Sequence, residues 1–326
     1  MKRVTFFLLY SLIVSLLIGS VVYSVITPMH VEKKIVEIKY GTPVPEIAEI
    51  LEREGVIRSR YLFLILHAFL RKKLEAGEYE FKGNLSIYDV YKILEEGRAK
   101  LYKVVVKEGD DLFDIAKNLE KNKICKAEDF LKYAFSQEIV KRYNLDVPSM
   151  EGFLFPDTYY FSKNTHPLKV IDVMYRNFLE KTKKLRKHLK ERNLSLEIWV
   201  TVASMVEKET FLKEEKPLIA AVIYNRLIRG MKLQIDPTVI YVAKRRGLWR
   251  GRILKRFFYI DDPYNTYVYY GLPPGPISNP GLDSLEASLF PANVDYLYFV
   301  ADRWGQKHYF ARTYVEHLRN MKKAGR

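Results

Sequence analysis

The chain has 326 residues, 48% hydrophobic and 29% charged, which is enough for real cores and excludes a disordered polymer. A formal net charge of +15 favours anionic partners: phospholipid, wall polymer or nucleic acid. A single cysteine, Cys125, excludes an intrachain disulfide and a cysteine-built metal site, and six scattered histidines lack metal-ligand spacing, so no metal and no cofactor is expected.

Lys2 and Arg3 precede an uncharged run from Val4 to Ile26. As a helix it is about 34 Å long, enough to cross a bilayer core of about 30 Å. The rival reading is a cleaved signal peptide, but that apolar core is shorter, about 7–15 residues, and ends in an A-x-A-like site. No such site stands out between Ser20 and Pro28. Residues 1–30 are therefore read as a cytoplasmic tip and a membrane anchor. Lys33 and Lys34 nearly balance Lys2 and Arg3, so the charge bias barely orients the anchor. A short basic start before a large soluble body fits an extracytoplasmic body, and no later segment is long and apolar enough to cross again.

Residues 31–40 (VEKKIVEIKY) predict a strand, 41–43 a turn, and Val44, Ile47, Ala48, Ile50 and Leu51 recur at helical spacing. The design returns 68 positions later: strand 101–107, turn 108–111, then a helix face of Leu112, Ile115, Ala116 and Leu119. A short strand (78–81) and a helix (87–97) lie between them. The pattern from Val106 to Ala116 resembles LysM-type glycan-binding modules, although a strand–turn–helix with an Asp cap produces much of it for structural reasons. Farther on, helices are predicted over 168–192, 196–209 and 217–229, then a dense Pro/Gly loop (271–281), a helix (282–289) and a hairpin (296–302, 307–312). The basic runs 181–192 and 244–256 read as solvated surface.

Chemistry concentrates near the end of 196–210, LEIWVTVASMVEKET. A helix apolar nearly all round is buried, and it carries two carboxylates, Glu207 and Glu209. Apolar surroundings raise a carboxyl pKa, as a general acid near neutral pH requires. Spacing alone does not choose between the two, and both also suit a solvated last turn. Three polar, aromatic, turn-rich stretches (151–161, 223–241 and 263–281) have the composition of sugar sites, although Asp157 and Asp236 also make good caps.

EGFLFPDTYYF (151–161), ASMVEKET (203–210), YNRLIRGMKLQIDPTVIY (224–241), YNTYVYYGLPPGPISNPG (264–281) and YLYFVAD (296–302) resemble, in order and spacing, the MltG/YceG family of endolytic murein transglycosylases. The resemblance spans roughly residues 30–317 and departs at 248–262, which is unusually basic and aromatic. It implies an α+β fold: an anchor (1–30), a LysM-like strand–turn–helix module (31–134) and a larger mixed α/β catalytic domain (135–326). It also implies cleavage of the bond between N-acetylmuramic acid and N-acetylglucosamine in peptidoglycan glycan strands, leaving a 1,6-anhydromuramyl end. The first acid of VEKET, Glu207, becomes the catalytic acid/base. Glu151, Ser204, Asn225, Gln234, Asp236, Thr238, Asn265, Tyr267 and Asn279 fall on motif positions near the implied cleft. The implied setting is the bacterial inner membrane, single-pass, beside glycan polymerases such as penicillin-binding proteins. The alternatives are a muramidase using Glu151 or Asp236 as second carboxylate, and a non-catalytic wall-binding scaffold. A pyridoxal-phosphate lyase lacks a phosphate loop here, and nucleic-acid binding conflicts with the anchor.

Overall fold

The computed structural model describes residues 2–325, with side chains from Phe7 onward. In chain order the elements are α1 (Lys2–Ile26), β1 (Met29–Ile38), α2 (Val44–Arg53), α3 (Arg60–Leu70), β2 (Gly77–Leu85), α4 (Ile87–Glu95), β3 (Leu101–Val105), α5 (Leu112–Lys121), α6 (Ala127–Ala134), α7 (Gln137–Arg142), β4 (Thr158–Ser162), α8 (Pro167–Lys181), α9 (Lys183–Arg186), α10 (Leu196–Glu209), α11 (Lys216–Ile228), α12 (Asp236–Arg245), a 3-10 turn (Lys255–Tyr259), α13 (Leu282–Leu289), β5 (Tyr298–Ala301), β6 (His308–Ala311) and α14 (Tyr314–Lys323). The result is a mixed α/β protein whose three sheets are two-stranded: β1–β2, β3–β4 and β5–β6. Over Phe7–Ile26, α1 is long and apolar enough to span a membrane.

The chain divides into two compact units, one of residues 1–103, 122–125 and 160–166, the other of the remainder. In the first, β1 and β2 run antiparallel, pairing Lys34 with Phe81 and Val36 with Tyr79 across a bulge after Val31. Alternation places Val36, Ile38, Tyr79 and Phe81 on one face, over the apolar stripes of α2 and α4. The helix of the second strand–turn–helix, α5, belongs to the second unit. In that unit α10 is the buried axis, with every side chain from Trp199 to Val206 out of solvent. The Trp199 indole donates to the Leu285 carbonyl at 2.8 Å, tying α10 to α13.

Several elements differ from the sequence expectation. The helix predicted over 168–192 stops at Lys181, where the Thr182 hydroxyl donates back to the Phe178 carbonyl and like charges crowd the next two turns. The polar stretch 236–245 is a helix: Pro237 in its first turn fits there because no donor is needed at that position. Helices α3, α6, α7 and α14 were also not anticipated.

Candidate active site

Glu207 and Glu209 stand two residues apart on α10, about 200° around the helix, and so face different surroundings. Glu207 is closed in. Its carboxylate accepts from the Lys216 ammonium at 3.3 Å, the Gly281 N–H at 3.0 Å and the Ser284 hydroxyl at 2.6 Å. Both members of the ion pair are nearly out of solvent, Glu207 with 6% and Lys216 with 4% of the side chain exposed. Glu108, whose carboxyl is raised by burial and by the negative charge of Glu207, lies against Gly281. These contacts bind the last turn of α10 to the starts of α11 and α13.

Glu209 instead lines an open polar pocket of about 400 Å³. Around it stand Arg226 from α11, Gln234 and Asp236 at the start of α12, Tyr267 from the following loop, His308 from β6 and His317 from α14. Burial, reinforced by the Asp236 charge and opposed by Arg226, pushes the Glu209 carboxyl up to about 8. At neutral pH it therefore carries a proton in a concave site, the state a general acid needs.

The surrounding groups are fixed by backbone. The Arg226 guanidinium donates to the Leu297 and Leu233 carbonyls, each at 2.6 Å, and lies over the Tyr298 ring. Gln234 adopts a left-handed backbone (φ +50°), a conformation costing about 1–2 kcal/mol outside glycine. Its N–H donates to the Thr266 carbonyl at 3.1 Å, and the next N–H donates to the Thr266 hydroxyl at 2.9 Å. The Tyr267 hydroxyl donates to Asp236 at 2.5 Å. The His308 backbone N–H and Nδ1 both meet the Glu215 carboxylate, at 2.8 and 2.7 Å, which favours the tautomer with the proton on Nδ1. The His317 ring stacks on Tyr298 at 5.1 Å, and its buried Nδ1 has no partner among the described residues. Burial and Arg226 pull its pKa below the ordinary histidine range, so the ring is neutral at pH 7.

Of the residues singled out from sequence, Gln234, Asp236 and Tyr267 line this pocket. The others make internal hydrogen bonds. Asn225 donates to the Val294 and Tyr296 carbonyls. Asn265 is buried, gathers the carbonyls of Phe257, Phe258 and Ile260, and accepts from the Tyr267 N–H. Thr238 bonds Ile235 and Thr266. Ser204 accepts from the Ile277 N–H at 3.0 Å, holding the Pro/Gly loop on α10. Glu151 is fully buried, accepts from the Leu112 N–H and from Asn279, and is raised well above the carboxylate range by burial. Asn279 also accepts from the Leu154 N–H. Arg226, His308 and His317 escaped sequence reasoning because three separate elements deliver them with no local motif.

The YceG-like family profile matches residues 36–323. The chain belongs to the YceG-like family. It is 33% identical over 321 residues to an endolytic murein transglycosylase of Bacillus subtilis strain 168, an alignment covering 92% of this chain and 88% of that protein. It is 31% identical over 315 residues to one of Streptococcus pneumoniae serotype 2, covering 88% of this chain and 57% of that longer protein. The crystal structure of a yceG-like protein from Listeria monocytogenes superposes with a TM-score of 0.62 at 33% identity, covering 88% of this chain and 99% of that one. The family match takes in Glu209 and every other residue of the polar pocket.

Proposed function

We propose that this YceG-like protein is an endolytic murein transglycosylase that cuts nascent peptidoglycan strands, with Glu209 as its acid/base. The naming of the bacillary and streptococcal relatives supports the activity. The observation that carries the residue assignment is the contrast between the two acids: Glu209 is protonated in an open polar pocket, whereas Glu207 is sealed against Lys216. This proposal differs from the sequence expectation of Glu207. Glu207 is tied to Lys216, Gly281 and Ser284, and moving it out of that arrangement would strand a buried cation.

Glu209 donates its proton to the glycosidic oxygen as the bond from the muramyl C1 to that oxygen breaks. The carboxylate then takes the proton of the muramyl 6-hydroxyl as that oxygen bonds C1. Water is not consumed, the product is a 1,6-anhydromuramyl end, and the carboxyl returns to its starting state. A single acid/base suffices, unlike the two-carboxylate pattern of hydrolases. Gln234, Arg226, His317 and the Tyr267–Asp236 pair offer donors and acceptors to sugar hydroxyl and acetamido groups. Hydrolysis is the second reading, favoured by the presence of Asp236 as another carboxylate in the same pocket.

We read α1 as a single-pass anchor in the bacterial inner membrane with the body outside, next to the polymerases that make the strands. The strand–turn–helix segments within 31–134 are a LysM-like glycan contact. The test is incubation of the full chain in detergent with uncrosslinked glycan strands, followed by mass spectrometry of the ends. Internal cuts with anhydromuramyl ends are expected. Products heavier by one water would move the assignment to a muramidase, and intact strands would favour a non-catalytic scaffold.

A further inference from the structure

Within the first unit, α3 has an unusual composition. Its sequence, RYLFLILHAFL, is apolar nearly all round, yet Phe63 alone is buried among the described residues of the helix. Phe69 is 83%, Tyr61 64% and Ile65 41% exposed. A helix on a water-facing surface shows polar residues on its outer side; here the outer side includes Tyr61, Ile65, Ala68 and Phe69. Within the helix His67 turns inward and meets the Tyr91 hydroxyl at 3.0 Å.

The second observation is what this side faces. Between α1 and α3–α4 runs an open cleft of about 600 Å³ whose walls are wholly apolar. Leu17, Val21 and Ile26 line one side, and Ile65, Phe69 and Tyr88 the other. Val25 inserts into the core of the unit, fixing α1 against it. The 20 residues Phe7–Ile26 match a hydrocarbon core of about 30 Å. With α1 spanning it, Ile26 sits at the outer boundary and Leu17 about 14 Å below. Side chains that pack laterally on Leu17–Ile26 occupy the same depth.

We propose that α3 is a second membrane element, an interfacial helix sunk into the outer leaflet beside the anchor, with lipid acyl chains filling the cleft. The proposal rests on the reading of α1 as an anchor. Cationic side chains bracket the helix: Arg58, bonded to the Pro28 carbonyl, and Arg60, paired with Glu52, at its start, and Arg71, Lys72 and Lys73, the last paired with Glu75, at its end, so positive charge sits where phosphate headgroups lie. The consequence is orientation: with two points of attachment, the first unit is held against the bilayer rather than swinging on one helix.

The experiment uses the full chain carrying Cys125→Ser, reconstituted in vesicles of phosphatidylcholine and phosphatidylglycerol, with a nitroxide on Phe69→Cys. Phe69 is outside the core, so the substitution leaves the fold intact. Collision rates with oxygen and with a water-soluble nickel chelate are compared with Leu12→Cys in α1 and Lys33→Cys on β1. The expected oxygen-to-nickel ratio at 69 is close to that at 12 and severalfold above that at 33. A nickel-dominated label at 69 with an oxygen-dominated label at 12 overturns the proposal and leaves the anchor standing. Nickel-dominated labels at both positions overturn the anchor and the proposal with it. A label at 69 shielded from both reagents, and released on diluting protein in lipid, shows instead that a second copy covers α3.

Discussion

At the residue scale, two acids of one short motif have taken opposite electrostatic fates. Glu207 is held in a buried pair with Lys216, and Glu209 is left protonated in the polar pocket. Glu207→Gln removes the partner of a buried ammonium while keeping an acceptor for Ser284 and Gly281. The expected outcome is a loss of about 3 kcal/mol in denaturant unfolding, with activity per folded molecule reduced much less than stability. An unchanged unfolding midpoint would contradict the ion pair described for it. Spacing alone left the two acids at the end of α10 open between a raised carboxyl and a solvated last turn, and only the family resemblance singled out Glu207. The two acids share every local feature, and what separates them comes from far along the chain: Lys216, Gly281 and Ser284 on one side, Arg226 and Asp236 on the other.

At the element scale, what was legible followed from local pattern. The all-round apolar run gave the buried α10, and alternation gave β1. The helix over 282–289 matched α13 because Gly281 ends a loop and an apolar face begins. The dense Pro/Gly loop is placed by close approaches that need glycine. Gly152 has φ +86°, and a Cβ there would stand 2.5 Å from Pro276 and 2.9 Å from Val200. Gly152→Ala should therefore cost at least about 2 kcal/mol, combining left-handed strain with overpacking, read as a lowered thermal midpoint. Elements went unread where their signal was misassigned or unused. Pro237 lies in the turn-rich stretch 223–241 yet stands in the first turn of α12, and α14, which delivers His317 to the pocket, opens on a Thr313–Glu316 capping box.

At the scale of the whole molecule, the fold assembles a pocket from α10, α11, α12, β6 and α14, so the site exists only when the second unit is complete. Its protonation links activity and stability to pH. The Glu209 carboxyl is raised from 4.5 to about 8 on folding, so the folded state binds a proton that the unfolded chain releases. Stability from this group is fully present below pH 4.5 and is lost as pH rises through about 8. Glu209→Gln, which cannot ionise, should match the parent's thermal midpoint in acid and exceed it at pH 9. The activity of the parent should fall on the alkaline side near pH 8, as the general acid loses its proton. A stability difference between parent and variant that does not change with pH would show that the group is not perturbed.

The most direct test of the account compares Glu209→Gln with Glu207→Gln in glycan-strand cleavage, each checked for folding by circular dichroism. The account predicts that Glu209→Gln folds and loses about 10²- to 10⁴-fold in rate, while folded Glu207→Gln still makes anhydromuramyl ends. A Glu209→Gln protein that cuts at the parent rate, beside a folded but inactive Glu207→Gln, would contradict it and return the catalytic role to Glu207.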